Sequence, residues 1–295
     1  MQSKRPDAVE NAEILLQKMY DLWNSGDRAT EPSNVPFNVV INSWAKSYQH
    51  FAARRAYSLL QQMQASENCK PDIISYTSVI ESFSRSSDPE AAEISLGLLQ
   101  QVTDMYEETG QANLMPNLRT YTMAILVLSK HANIRNVVRA RELLTRLEES
   151  YEETKDDALR PNEYPYNYVL NCAANCLGTT EERLKAFQIA TITYKELRKS
   201  KIVSPDSFTY AFWFKCCNNL LSEGELRTKC ISYAFDQCKE DGLVSAEVLN
   251  RLLAGTPPTL LSKLLSVPPQ TSPTVYRSIT LDDIPPSWSR NVRLR

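Results

Sequence analysis

Small polar residues recur at two matched places along this 295-residue chain, and their types suit hydrogen bonding to a ligand. Members of one set directly follow an aromatic residue, and members of the other directly follow a proline. Asn presents a donor and an acceptor, and Thr offers both through one hydroxyl, as the edges of nucleic-acid bases require. Helix caps and turns use the same residue types, which is the alternative interpretation. The eight positions are Asn38, Asp72, Thr77, Asn117, Thr122, Asn162, Asn167 and Asp206.

A cation lies nine residues beyond each of the first three of these aromatic residues, at Lys46, Arg85 and Lys130. The net charge of −2 gives no general support for a nucleic-acid binder, so any basic surface must be local. Each cation ends a predicted helix and could simply balance the helix dipole. Repetition at one position favours contacts with phosphate groups. Asn175 and Asn219 take this position in the next two copies. Because Asn carries no charge, we expect weaker contact with a nucleic-acid phosphate backbone there.

A repeated pair of helices positions these residues. Each helix A of a pair starts near an aromatic residue, with apolar residues four and seven positions later, as in Phe37, Ile41 and Trp44. Each helix B has the pattern A-x-x-L-L-x-x-M, as in Ala56–Met63. The aromatic residues are spaced 39, 45, 45 and 44 residues apart, and we expect them to pack in the core. They are Phe37, Tyr76, Tyr121, Tyr166 and Tyr210.

The repeat boundaries follow from these copies. Complete repeats are predicted at 34–72, 73–117, 118–162 and 163–206, with a degenerate fifth repeat or cap at 207–253. Residues 1–33 are predicted to hold a half repeat with helix B alone, either from a truncated gene model or as an atypical cap. Residues 254–295 are predicted to be an extended proline-rich tail that docks through Trp288. The extra residues of the longer repeats are predicted to lie in turns.

The sequence argues against an enzyme and against a metal or other cofactor. No phosphate-binding loop, dinucleotide fingerprint or nucleophile elbow occurs, and no small-molecule substrate is indicated. The zinc motifs of deaminases are absent, and Cys172 with Cys176 would make only half a zinc site. The seven cysteines are interpreted as reduced, mostly buried residues. No apolar run approaches the roughly 18 residues that span a membrane.

The segment Cys69-Lys70-Pro71-Asp72 followed by Ile73-Ile74-Ser75-Tyr76-Thr77 resembles the junction between two pentatricopeptide repeats of the P type. The resemblance covers roughly residues 8–246, with elongated repeats like those of algal and protist members of the family. It implies an all-α fold, a right-handed α-solenoid superhelix of helix-turn-helix repeats. It also implies binding of single-stranded RNA at about one base per repeat.

The resemblance assigns roles to particular residues. The base-reading pairs would be Asn38 with Asp72, Thr77 with Asn117, Thr122 with Asn162, and Asn167 with Asp206. By the family's recognition rules these pairs favour the register 5′-U-A-A-U-3′. The residues that pack on base faces would be Val35, Ile74, Arg119, Tyr164 and Phe208, and the phosphate contacts would be Lys46, Arg85 and Lys130.

The function expected from the resemblance is stabilisation, processing or translation of organellar RNA in a mitochondrion or plastid. No presequence is visible in this chain, so a cytoplasmic or nuclear location stays open. Other RNA-processing proteins are further expected partners. The alternative is a helical-repeat scaffold that binds peptides or RNA-processing factors, as tetratricopeptide arrays do, although the Trp and Leu-Gly pattern of those arrays is absent.

Overall fold

The computed structural model describes residues 8–31, 33–47, 49–66, 68–266 and 279–292. Within these ranges the chain is helical, with no strand. It divides into two compact units, the first at Met1–Val127 and the second at Leu128–Arg295. The first unit holds α1 (Ala8–Asn24), α2 (Asn34–Lys46), α3 (Ala52–Ala65), α4 (Ile73–Phe83), α5 (Ala91–Thr109) and most of α6 (Leu118–Lys130).

The second unit holds the end of α6 and the remaining helices. These are α7 (Ile134–Thr154), α8 (Glu163–Ala174), α9 (Thr180–Lys199), α10 (Ser207–Leu220), α11 (Glu225–Asp241), α12 (Ala246–Gly255) and α13 (Pro258–Leu265). In each unit a helix A packs on its own helix B and on the next helix A, as α2 does with α3 and α4, and α8 with α9 and α10. Residues 34 to 46 positions apart in the sequence therefore lie side by side.

The aromatic residues near the A-helix starts form the core, which confirms their predicted packing role. All five are at most 4% exposed. Burial of an aromatic side chain of this kind stabilises the fold by about 1.5–3 kcal/mol. The buried hydroxyls are bonded to B helices: Gln64 Nε2 donates to Tyr76 Oη over 3.1 Å, and Tyr166 donates to Glu148 Oε1 over 2.5 Å.

The B-helix motif is buried in α3 but not in α1. Leu59 and Leu60 are at most 2% exposed, because α2 and α4 cover α3. In the matching copy on α1, Leu16 is 5% exposed but Leu15 is 63% exposed. Helix α1 packs mainly on α2, where Trp44 Nε1 donates to Glu13 Oε2 over 3.0 Å, and Arg55 of α3 also forms an ion pair with Glu13.

The extra residues of the longer repeats lie mainly in B helices, so the prediction that they lie in turns is wrong. Helix α3 ends two residues after Met63, whereas α5 continues for seven residues after Val102. The added segments are rich in Glu and other helix formers, and they continue until a left-handed residue ends the helix. That residue is Gly110 after α5 (φ 64°) and Lys155 after α7 (φ 53°).

The carboxyl-terminal region differs in part from the predicted extended tail. Residues Pro258–Leu265 form α13, and its four leucines are buried. Residues 279–292 dock on α11 as expected for Trp288: its ring meets Phe235 edge-on with centroids 5.7 Å apart. The Val244 N–H donates to the Trp288 carbonyl over 2.9 Å. Residues 267–278 of the predicted tail lie outside the described part of the chain.

Candidate nucleic-acid interface

The residues predicted to end each repeat are N-caps of the next helix A. Asp72 accepts a hydrogen bond from the Ser75 N–H over 2.9 Å, and Asp206 accepts one from the Thr209 N–H over 2.9 Å. At each of these two helix starts, the hydroxyl of Ser75 or Thr209 also accepts a hydrogen bond from the backbone N–H of the capping Asp, which completes a capping box. The alternative interpretation of these residues as caps is therefore correct as a description of their local role. Asp72 and Asp206 also form hydrogen bonds with residues of the preceding helix A.

The predicted pair Asn38 and Asp72 is joined directly in the first unit. Asn38 Nδ2 donates to the two Asp72 carboxylate oxygens over 3.1 and 3.2 Å, and the Ser75 hydroxyl donates to Asn38 Oδ1 over 2.6 Å. The amide has two N–H groups and two oxygen lone pairs, and these bonds use one of each. Asn38 is half-buried, so the second N–H and the second lone pair can meet a ligand.

The same network recurs in the second unit. Asn167 Nδ2 donates to Asp206 Oδ1 over 2.9 Å, and the Thr209 hydroxyl donates to Asn167 Oδ1 over 2.8 Å. Asn167 is only 3% exposed, so less of its amide edge can be reached than that of Asn38.

The other two predicted pairs are arranged differently. Thr77 is linked to Asn117 through Thr120, since the two threonine hydroxyls are 2.7 Å apart and Thr120 Oγ1 is 3.2 Å from Asn117 Oδ1. Thr122 belongs to the first unit and donates to the Leu118 carbonyl of its own helix over 2.6 Å. Asn162 belongs to the second unit and caps α8 without forming a capping box.

Proline explains why the cap at Asn162 departs from the others. The third residue of α8 is Pro165, which has neither an N–H nor a hydroxyl to complete a capping box. Asn162 Oδ1 instead accepts from the Tyr164 N–H over 3.1 Å. Helix α2 has Pro36 at the same place, and its N-cap Ser33 makes no side-chain cap bond. The recurring hydroxyl at Ser75, Thr120 and Thr209 was missed in the sequence, although its spacing from Asp or Asn is a capping-box signal.

A groove of about 560 Å³ in the first unit brings many of the predicted residues together. Its lining includes the base-reading candidates Asn38, Asp72, Thr77 and Asn117, together with Val35, Ile74, Arg119 and Lys46. Val35 and Ile74 are 69% and 58% exposed, so they present apolar surface to whatever occupies the groove.

The predicted phosphate contacts differ in their surroundings. Lys46 is exposed at the end of α2, and Lys130 is exposed at the end of α6. Arg85 donates to the Ala45 carbonyl over 2.6 Å and pairs with Glu81 over 3.1 Å. Asn219, at the matching position, donates to the Ala174 carbonyl over 2.9 Å. Arg85 in the first unit and Asn219 in the second therefore each satisfy a carbonyl near the C-terminus of the preceding helix A. Neither the phosphate interpretation nor the helix-dipole interpretation predicted this role.

Glu81 neutralises positive charge beside the groove of the first unit, and no sequence pattern predicted this role. Its carboxylate receives Arg85 on one oxygen and Arg119 on the other, the latter over 2.6 Å. Burial alone would raise the pKa of the Glu81 carboxyl, but the hydrogen bonds from Arg119 and Arg85 outweigh burial and lower it. The predicted base-packing residue Arg119 is thus held in an ion pair.

The A-helix face of the second unit is aromatic. Tyr164 lies 6.4 Å from Tyr168 between ring centroids, and Phe208 lies 6.2 Å from Phe212. Tyr164 is exposed and the other three rings are half-buried. Stacking on such rings is the usual sequence-tolerant contact of single-stranded nucleic acids.

The described ranges hold no cluster of three His, Cys, Asp or Glu side chains that could bind a metal ion. Cys172 and Cys176 are buried, and burial raises the pKa of both thiols. In the part of the chain that the structure describes, no helix is long and apolar enough to cross a membrane.

No family model matches this chain, and no curated protein matches it either. The pentatricopeptide resemblance accordingly rests on the residues quoted above and on nothing else.

Proposed function

We propose that the chain is a right-handed α-solenoid that binds a short single-stranded RNA along its A helices, with the register 5′-U-A-A-U-3′. One observation carries this proposal: the Asn–Asp–hydroxyl network recurs at the same repeat positions in both units. A capping role accounts for the Asp and the hydroxyl but not for an Asn on the neighbouring helix held in one fixed orientation.

The chemistry of the network suits a uracil edge. Uracil offers an N–H flanked by carbonyl oxygens, and the Asn38 amide keeps one N–H and one lone pair for such a partner. Asp72 fixes which end of the amide donates, because a carboxylate only accepts hydrogen bonds. The orientation of the amide is therefore set before a base arrives, which reduces the entropy lost on binding.

The biological role proposed from the family resemblance is organellar RNA stabilisation, processing or translation in a mitochondrion or plastid. Binding alone can perform it, by covering an RNA segment or by recruiting another RNA-processing protein. Neither a cofactor nor a catalytic residue is needed for this role.

A specificity exchange tests the proposal. The double variant Asn38→Thr with Asp72→Asn converts the first pair into the combination of the second while keeping a capping residue at position 72. We expect the preferred first base to change from uracil to adenine by about tenfold, or about 1.4 kcal/mol. Fluorescence anisotropy with labelled RNAs that differ only at that base measures it, and circular dichroism checks the fold.

The matched control is the same exchange in the other network, Asn167→Thr with Asp206→Asn. It should alter the preference at the last base of the register and leave the first unchanged. If the folded Asn38 and Asp72 variant keeps the original preference, or if the wild-type chain binds U-A-A-U RNA no better than a permuted RNA, the proposal is wrong.

A peptide is the second candidate ligand, because Val35, Val39 and Ile74 present exposed aliphatic surface in the first groove. The discriminating variant is Ile74→Ala, since aliphatic burial dominates peptide binding in such grooves. A scaffold role predicts that Ile74→Ala abolishes capture of a partner protein while the affinity for RNA stays negligible for both forms.

A further inference from the structure

A second surface lies on the A helices of the second unit, and no base-reading pair accounts for it. We call it the aromatic–cation surface, formed by Phe208, Phe212 and Lys215 of α10, Tyr168 of α8 and Arg251 of α12. The three α10 residues have spacings of four and three, which places them on one side of the helix. Helices α8 and α12 both pack against α10, and Asn171 of α8 and Arg251 of α12 both interact with Lys215.

Positive charge on this surface exceeds the negative charge that faces it. Lys215 donates over 3.2 Å to the neutral Asn171 amide oxygen, and the positive charges of Arg251 and Lys130 both act on its ammonium group. Among the described residues, Glu247 is the carboxylate whose charge acts on Lys215, and it is bonded to Arg251 over 2.7 Å. Burial lowers the pKa of Lys215, and its two cationic neighbours lower it further. An anion would relieve this repulsion.

The fifth position of α10, where other A helices carry Asn or Thr, is Ala211. Ala211 is fully buried and its methyl group forms no hydrogen bond, so the base edge cannot be read there. Rings and cations without an edge-reading group are the combination that holds single-stranded nucleic acid regardless of its sequence.

We propose that the aromatic–cation surface binds the nucleotides on the 3′ side of the selectively read segment, by ring stacking and phosphate contact and without base selectivity. This inference rests on the proposed function for the direction of the strand. It extends the bound RNA beyond four nucleotides and assigns Phe212, Lys215 and Arg251 roles that the repeat pattern does not provide. A phosphodiester fits better than an acidic peptide because the surface combines its cations with three aromatic rings, on which nucleotide bases can stack.

The experiment compares RNAs with a U-A-A-U core alone, with a short 3′ extension, or with the same extension at the 5′ end. We expect the 3′ extension to raise the affinity of the wild-type chain about tenfold, whatever its bases, and the 5′ extension to do far less. Phe212→Ala and Lys215→Gln should each remove most of that gain. Lys215→Gln should also make the salt dependence, log K against log [salt], shallower by about 0.7.

The matched control is Lys229→Gln, which removes a lysine from α11 that pairs with Glu225. It should leave both the affinity gain and the salt slope unchanged. A gain that survives Lys215→Gln and Phe212→Ala in folded protein overturns the inference, as does a 3′ extension whose benefit depends on its bases. Displacement by an acidic peptide with no 3′ benefit overturns it too.

The outcomes separate this inference from the function on which it rests. If the chain prefers U-A-A-U but gains no affinity from the 3′ extension, the inference is wrong and the proposed function is retained. If the chain shows no preference for the U-A-A-U core, but Lys215→Gln still lowers the affinity for every RNA, base-selective binding is wrong and the aromatic–cation surface is supported.

Discussion

The two units present the same hydrogen-bonded network on A helices whose charges are balanced differently. In the first unit Glu81 takes both Arg85 and Arg119, and the groove is lined by aliphatic residues such as Val35. In the second, Lys215 has a neutral partner and aromatic rings replace the aliphatic residues. The capping residues are thus retained from repeat to repeat while the charges vary. Under the proposed function, the network alone therefore does not determine how strongly each unit holds a phosphate backbone.

Removal of the capping carboxylates tests whether the two networks are equivalent, and it has the largest expected effect on stability. Asp206→Ala should lower the free energy of unfolding by about 2–3 kcal/mol, because it removes a cap and leaves the amide of Asn167 buried without its acceptor. Asp72→Ala should lower it by about 1 kcal/mol, because water can reach the half-buried Asn38.

Urea unfolding followed by circular dichroism measures both changes. Asn162→Ala is the control, since Asn162 makes one cap bond in place of a capping box, and it should cost about 0.5–1 kcal/mol. An Asp72→Ala variant as unstable as Asp206→Ala would show that burial of the Asn does not distinguish the networks.

The starts of the A helices were predictable, because their signals are local. The predicted repeats begin at residues 34, 73, 118, 163 and 207, which are the first residues of α2, α4, α6, α8 and α10. Asp or Asn caps the last four of these helices, and a cap acts within one turn of its helix. The lengths of α5, α7 and α9 were missed because turn and helix both tolerate charged residues such as Glu107 and Glu152.

The charge partners of the site could not be predicted from the same patterns. Glu81 lies 38 residues from Arg119, and Lys215 lies 36 residues from Arg251. These pairs depend on how neighbouring helices pack. The repeat pattern predicted that Arg85 ends a helix, but α4 ends at Phe83 and Arg85 lies in the turn that follows. Only the fold reveals that its guanidinium is bonded to Glu81 and to the Ala45 carbonyl.

The substitution Glu81→Gln should make the first unit resemble the second. It frees Arg85 and Arg119 from their shared carboxylate, so RNA affinity at low salt should rise about threefold to tenfold. The salt dependence should become steeper by about 0.7 for each new phosphate contact. Fluorescence anisotropy across a range of KCl concentrations measures both, with Glu225→Gln on α11 as a control that should change neither. An unchanged slope in folded Glu81→Gln protein would mean that Glu81 does not limit phosphate contact.

Cysteine reactivity provides a smaller contrast between the units. The hydrogen bond from Cys217, together with the positive charge of Lys195, lowers the pKa of Cys230 to about 7 against the opposing effect of burial. Burial raises the pKa of Cys69 in the first unit to about 11. At pH 8 Cys230 is therefore mostly thiolate and Cys69 is not, so iodoacetamide should label Cys230 first.

Mass spectrometry of alkylated peptides over a pH series measures the midpoint of Cys230 labelling. Cys217→Ala should move that midpoint upwards, because the thiolate loses its donor, whereas Cys69→Ser should leave it in place. Preferential labelling of Cys69 would contradict the environments described for both thiols.

A base-by-base affinity scan tests the central claim most directly. Each nucleotide of an RNA with the U-A-A-U core and a 3′ extension is replaced in turn, and the affinity of the full chain is measured for every RNA. The account predicts losses of about tenfold at the core positions and nearly none in the extension, although shortening the extension weakens binding. Equal sensitivity at all positions, or none at the core, would contradict it.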